Sequence, residues 1–146
     1  MDRGSQEILR ENLVSLDLSL ERLLYSFNIC NAIGLKEDYS NDDFIEFEAM
    51  TSRFARTTDM MINKVLRSLD TVEYLDTGTV IDAVNNAEKR GIADAQDLRR
   101  LKDLRNSIVH EYVTENIVRF FGKVLEFTPL LENAIKNLNN YCLKYV

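Results

Sequence analysis

Proline occurs once in the 146 residues and glycine five times. Sandwiches and barrels need Gly/Pro-rich turns roughly every ten residues, so this scarcity excludes most all-β architectures. Tryptophan is absent and histidine occurs once, as His110, which rules out a histidine-rich metal site by count. The two cysteines, Cys30 and Cys142, form no metal-like spacing. Each falls on an apolar helical stripe and reads as a core thiol. No apolar run approaches the ~18 residues of a membrane span. The opening stretch MDRGSQEILREN lacks the apolar segment of a signal peptide. A cytoplasmic location with no membrane association is therefore expected. HExxH, the P-loop pattern and GxGxxG are missing too.

What is present points one way. Hydrophobic residues make up 45% of the chain, enough for a core without disulfide staples and too many for a disordered segment. A chain of this size reads as one domain, 1–146, with no linker, repeat or low-complexity tract. The net charge is −6, from 18 basic against 24 acidic residues. That argues against a protein held to nucleic acid by bulk electrostatics, while leaving room for a local basic groove.

Five segments carry helical periodicity, three long and two short. In the first, roughly 6–33, Leu9, Leu13, Leu16, Leu20, Leu23, Phe27 and Cys30 recur at spacings of four and three, one per turn on one stripe. Gly34 is the stop signal. The polar run Lys36–Asn41 reads as a loop, with Asn41 or Asp42 as the next cap. The second helix, roughly 43–70, carries Phe44, Phe47, Phe54, Met61, Val65 and Leu69, and the loop around Thr77–Gly78 ends it. Thr79 can cap a short third helix through the amide of Ile81 or Asp82, and Gly91 stops it. The fourth spans roughly 94–112. Thr114 can cap the fifth, where Ile117, Phe121, Val124, Leu131, Ile135, Leu138, Cys142 and Tyr145 keep the rhythm across a kink expected at Pro129. Short polar loops between these elements imply an all-α, antiparallel helical bundle.

Chemistry concentrates in one segment, Leu104-Arg105-Asn106-Ser107-Ile108-Val109-His110-Glu111-Tyr112. At about 100° per residue, Leu98, Leu101, Leu104, Ile108, Val109 and Tyr112 share a broad apolar arc, and Arg105 falls inside it. A guanidinium there is costly unless it is paired or faces a cleft. Asn106 and His110 lie one turn apart on a flank, and Arg105 and His110 diverge by about 140°. Two copies of this helix face to face would close a groove between such groups. On residue types alone, plainer roles come first. A lone histidine near a helix end is usually solvated or a dipole partner. An arginine among leucines snorkels or pairs with an acid on a neighbouring helix, and a tyrosine packs in the core.

The spacing changes that balance. The segment matches R-x4-H-x-Y and resembles the HEPN family of small helical ribonucleases, specifically the toxin partner of HEPN/MNT (HepT-like) toxin–antitoxin pairs. Asn106 directly after the arginine fits the same pattern, and the length and five-helix reading are similar over essentially the whole chain. The resemblance implies a homodimer with the motif helix at the cleft. It also implies a metal-independent endoribonuclease toxin of a type VII-like pair that needs no cofactor and uses the substrate's 2′-hydroxyl as nucleophile. His110 would be the acid–base group. Arg105 would neutralise charge on the phosphoryl oxygens, and Asn106 would orient the phosphate or the imidazole. Tyr112 would accept AMP from a cognate MNT-type nucleotidyltransferase antitoxin, filling the cleft with bulk and negative charge.

Two further readings stay open beside this one. The first is a non-catalytic subunit that presents substrate to a nucleotidyltransferase, and the second a helical dimerisation protein without a ligand. For RNA, the stretch from Lys89 to Arg105 holds six basic residues against three acids. Arg53 and Arg56, one turn apart, can add phosphate contacts. Aromatics near the motif are few, which points to modest affinity or to a structured RNA such as tRNA.

Overall fold

The computed structural model describes residues 3–75, 78–114 and 116–146; at residues 3 and 112–114 it describes the backbone alone. All regular structure in these residues is helical. Helix α1 runs Arg3–Ile33, α2 Asn41–Asp59, α3 Arg67–Val72, α4 Val80–Lys89, α5 Ala95–Thr114 and α6 Phe121–Cys142. A π-helical segment, Met60–Leu66, joins α2 to α3, and short 3-10 turns at Ile117–Phe120 and Leu143–Tyr145 flank α6. With α2, the π segment and α3 read as one rod, this is the expected set of five helices. At 20 residues, α5 stands with the long ones.

Cross-helix pairs define the packing. Asn12 donates to Ser68 Oγ, Ser19 meets Thr57, and Arg53 donates to Ser26 Oγ, so α1 and the α2–α3 rod run antiparallel. Asn139 donates to Asp17, and Arg10 Nε to the Tyr145 carbonyl, which sets α6 antiparallel to α1. Arg105 meets Asp59 between α5 and α2, and Asn137 donates to the Ile92 carbonyl at the base of α5. Four long rods thus pack up-down-up-down around one core, with α4 laid against the π segment and α5.

The expected stripes supply that core. Leu9, Leu13, Leu16, Leu23 and Cys30 of α1 are buried, as are Phe47, Phe54, Met61, Val65 and Leu69 of the second rod; Leu20, Phe27 and Phe44 are partly buried against them. Phe47 stacks on Phe121 at 5.0 Å between centroids, and Tyr39 meets Phe121 edge-on at 5.4 Å.

Local signals act as their chemistry dictates, with two corrections, both to helix caps. Gly34 at φ 79° and Gly91 at φ 74° take the left-handed turns that end α1 and α4. Thr79 caps α4 in a reciprocal box with Asp82. The cap of α2 is Ser40, not Asn41 or Asp42: its hydroxyl accepts the Asp43 amide, and Asn41 is already helical. The second rod ends at Val72, close to the expected limit near 70, where Tyr74 takes φ 58° and the Leu75 amide returns to the Asp70 carbonyl. Thr77 lies outside the described residues. Thr114 does not cap the last helix, since its backbone belongs to α5 and so lacks the extended conformation a cap needs. Helix α6 spans Phe121–Cys142 and includes Pro129, which is exposed and has no amide to donate to the Leu125 carbonyl.

One buried charge cluster closes an end of the bundle. The Arg90 guanidinium bonds Asp70 at 2.6 Å and Glu73 at 2.8 Å, with side-chain exposures of 5% for Arg90 and 0% for Asp70. Tyr141 and Tyr145 donate to the same Glu73 carboxylate. Burial pushes the Glu73 carboxyl up, but those hydrogen bonds and Arg90 outweigh it and hold it below its ordinary value.

Both thiols are free and buried. Burial raises Cys30 from the usual 9.0 to about 12, helped by Glu46 and Asp43. It raises Cys142 to about 11. The folded chain therefore keeps thiol protons that the unfolded chain releases. Their contribution to stability is fully present below about pH 9 and lost as pH climbs through the folded values. The urea midpoint should fall between about pH 8 and about pH 10.5, and the Cys30→Ala/Cys142→Ala variant should show a shallower fall. An equal slope in both proteins would mean that the thiols are not the titrating groups.

Candidate functional site

The motif helix α5 buries Leu98, Leu101, Leu104 and Ile108 against the core. Val109, expected on the same arc, is 45% exposed: one residue past Ile108 is a rotation of about 100°, enough to leave the interface. Arg105 lies at the edge of the buried stripe. Its Nη2 meets Asp59 Oδ1 at 3.1 Å and its Nη1 donates to Asn106 Oδ1 at 3.0 Å. Asp59 also accepts a 2.7 Å hydrogen bond from Asn63. The expected arginine on an apolar face is thus paired across helices, as the simpler reading of such a residue holds.

Asp59 is the residue that motif reasoning missed. It has no place in R-x4-H-x-Y and lies 46 positions before Arg105, so only packing brings the two together. Asp59 is the last residue of α2, and Asn63, which bonds it, sits inside the π segment. π-helical turns widen a helix by one residue per turn and recur at functional sites. Here that segment turns an amide side chain onto the carboxylate that holds Arg105.

Two small cavities flank the guanidinium. One, of about 270 Å³, is walled by Ser52, Ala55, Arg56, Asp59, Arg105 and Val109. The other, of about 130 Å³, includes Asn63, Lys102 and Asn106 in its lining. Arg105 and Asp59 line both. The Arg105 side chain is 30% exposed, so its charge stays in reach of a ligand although its Nε is buried without a hydrogen-bond partner.

His110 stands one turn beyond Asn106, exposed, and its ring makes no hydrogen bond or ion pair among the described residues. The structure thus brings Arg105 and Asn106 into contact and leaves His110 apart from them on the same helix. Glu111, next to it, meets Arg119 at 3.5 Å. The Tyr112 backbone continues α5, but its side chain lies outside the described residues. Among the described residues no group of three or more His, Cys, Asp or Glu side chains could hold a metal ion, and no helix is long and apolar enough to cross a membrane.

Exposure makes the polar residues of this site separable from the fold. His110→Ala and Asn106→Ala should each change stability by no more than about 0.5 kcal/mol. Arg105→Ala should cost about 1 kcal/mol, through its half-exposed ion pair and lost stem packing. Urea unfolding of the three variants checks this, and a loss of several kcal/mol for His110→Ala would make that residue structural.

Set against protein-family models, curated proteins and solved structures, the chain matches none of them, and the geometry above stands on its own.

Proposed function

We propose that the chain is a metal-independent endoribonuclease of the HEPN type, acting as the toxin of a toxin–antitoxin pair. The observation that carries this reading is the exposed imidazole of His110, on the same helix as a half-exposed Arg105 that Asp59 holds in place. An imidazole can take a proton from a ribose 2′-hydroxyl or give one to the departing 5′-oxygen. Attack of the 2′-oxygen on the adjacent phosphorus breaks the bond to that 5′-oxygen and leaves a 2′,3′-cyclic phosphate. Charge gathers on the non-bridging oxygens, where a planar, permanently charged guanidinium is well matched.

Within one chain, Arg105 and His110 are separated by about 7.5 Å along the helix axis and about 140° around it. One pair alone thus brackets a phosphodiester loosely. Two motif helices across a twofold axis would supply a histidine and an arginine from each side, which is the reason to expect a homodimer. Asn106, bonded to Arg105, would orient the phosphate or the ring. Tyr112 lies two turns beyond Arg105 on the same helix, so AMP transferred to it by a nucleotidyltransferase antitoxin would add phosphate and adenine to the motif helix itself. That would block RNA by volume and by charge. A structured RNA such as tRNA is the substrate class proposed.

Purified protein incubated with total RNA or tRNA in EDTA should produce fragments ending in cyclic phosphate. His110→Ala should lower the rate by about 10²–10⁴-fold. Mass spectrometry after co-expression with the nucleotidyltransferase should show added AMP on Tyr112. RNA that stays intact while the nucleotidyltransferase binds tightly would favour the substrate-presenting subunit instead.

A further inference from the structure

Beyond the motif helix, the α1–α2 seam holds a basic recess of about 220 Å³ whose lining includes Arg22, Arg53 and Arg56 with the hydroxyls of Ser15 and Ser19. No carboxylate lines it. The three arginines come from separate requirements of the fold, but they meet in one place. Arg53 is held there by neutral oxygens: its Nη1 donates to the Arg22 carbonyl at 3.0 Å and to buried Ser26 Oγ at 2.8 Å. Those bonds fix the guanidinium without compensating its charge. Arg22 and Arg56 are exposed and have no ion-pair partner among the described residues.

Three like charges around one small recess repel one another, and in a protein of net charge −6 acids are available to neutralise them. Here none does so. An arrangement of this kind is stable enough to persist because water screens it, and it is suited to an anion that replaces that water. Arg56 also walls the neighbouring cavity that contains Arg105 and Val109, the residue before His110. Arg56 therefore lines both the recess and the cavity that borders the motif, where Asp59 is the one carboxylate in the wall.

We infer that this track binds the sugar–phosphate backbone of an unpaired stretch of RNA, with Arg22, Arg53 and Arg56 holding phosphates next to the one that reaches Arg105 and His110. The assignment rests on the ribonuclease reading for its ligand. The recess offers three guanidiniums and two hydroxyls beside Leu18 and Met60 and no aromatic platform, so it grips phosphates and positions the strand without stacking on bases. A single strand carries one phosphate per nucleotide, so it can meet several of the three arginines that share this recess, whereas a free nucleotide brings one phosphate.

The test uses full-length His110→Ala protein, which does not consume its ligand, and a fluorescein-labelled ten-residue oligouridylate, followed by anisotropy across a salt series. Arg22→Gln and Arg56→Gln should each weaken binding by about three- to tenfold and lower the slope of log K against log salt by about 0.7. Lys136→Gln, on the exposed face of α6, should change neither. The oligomer should bind at least about tenfold more tightly than AMP, the monomer-sized probe. Oligomer binding that ignores both arginine substitutions, an affinity equal to that of AMP, or no binding at all would overturn the track. Cleavage by the protein with His110 intact is scored separately. Cutting without arginine dependence sinks the track alone, and arginine-dependent binding without cutting sinks the ribonuclease alone.

Discussion

A guanidinium buried between two carboxylates sets the frame on which the rest of the molecule hangs. Arg90 ends α4, one residue before the Gly91 turn that leads into α5, and its partners Asp70 and Glu73 lie at the end of the second rod. Removing ions from water is expensive, and a buried guanidinium tolerates few positions other than the one that satisfies it. Tyr141 and Tyr145 bring the last turns of the chain onto Glu73, and Arg10 and Gln6 tie the Tyr145 carbonyl to α1. Four segments distant in sequence thus converge on one charge cluster. The start of α5 is further held by the Glu88 carboxylate on the Ala95 amide and by Asn137 on the Ile92 carbonyl. With its beginning fixed, the rotation of α5 is fixed, and with it which of its residues face Asp59 and which face water.

That rotation is what makes the motif helix useful. Leu98, Leu101, Leu104 and Ile108 anchor it in the core, so its polar residues need contribute little to stability. Arg105 stands where the buried stripe meets solvent, held by a carboxylate whose own position comes from the end of α2 and an asparagine of the π segment. His110 is left in water. Arg105 is positioned by its neighbours, and the His110 side chain is exposed to whatever approaches.

The surplus of acid in the chain is spread unevenly, and this matters more than its total. Asp42 and Asp43 sit in the first turn of α2, where the helix dipole favours them, and Asp70 and Glu73 are consumed by Arg90. The seam between α1 and α2 is bare of carboxylates where Arg22, Arg53 and Arg56 meet. A net charge of −6 argues against a protein covered in nucleic acid, yet the recess where these three arginines meet is locally positive.

Periodicity and end signals along the chain were enough to locate the helices, their buried stripes, both core thiols and the glycine turns at Gly34 and Gly91, because these depend on near neighbours and on one conformational preference each. They also marked R-x4-H-x-Y as the segment where polar groups interrupt an apolar pattern. They misplaced two caps, choosing Asn41 or Asp42 over Ser40 and giving Thr114 to the last helix, because neighbouring residues compete for that role and packing chooses between them. They were silent on Asp59, on the π segment and on the meeting of Arg22 with Arg53 and Arg56. A sequence determines which face of each helix must leave water, since that follows from spacing along one strand of residues. Only the tertiary structure decides which charged residues on the remaining faces become neighbours, since an ion pair falls off over a few ångströms and depends on how the rods are turned against each other.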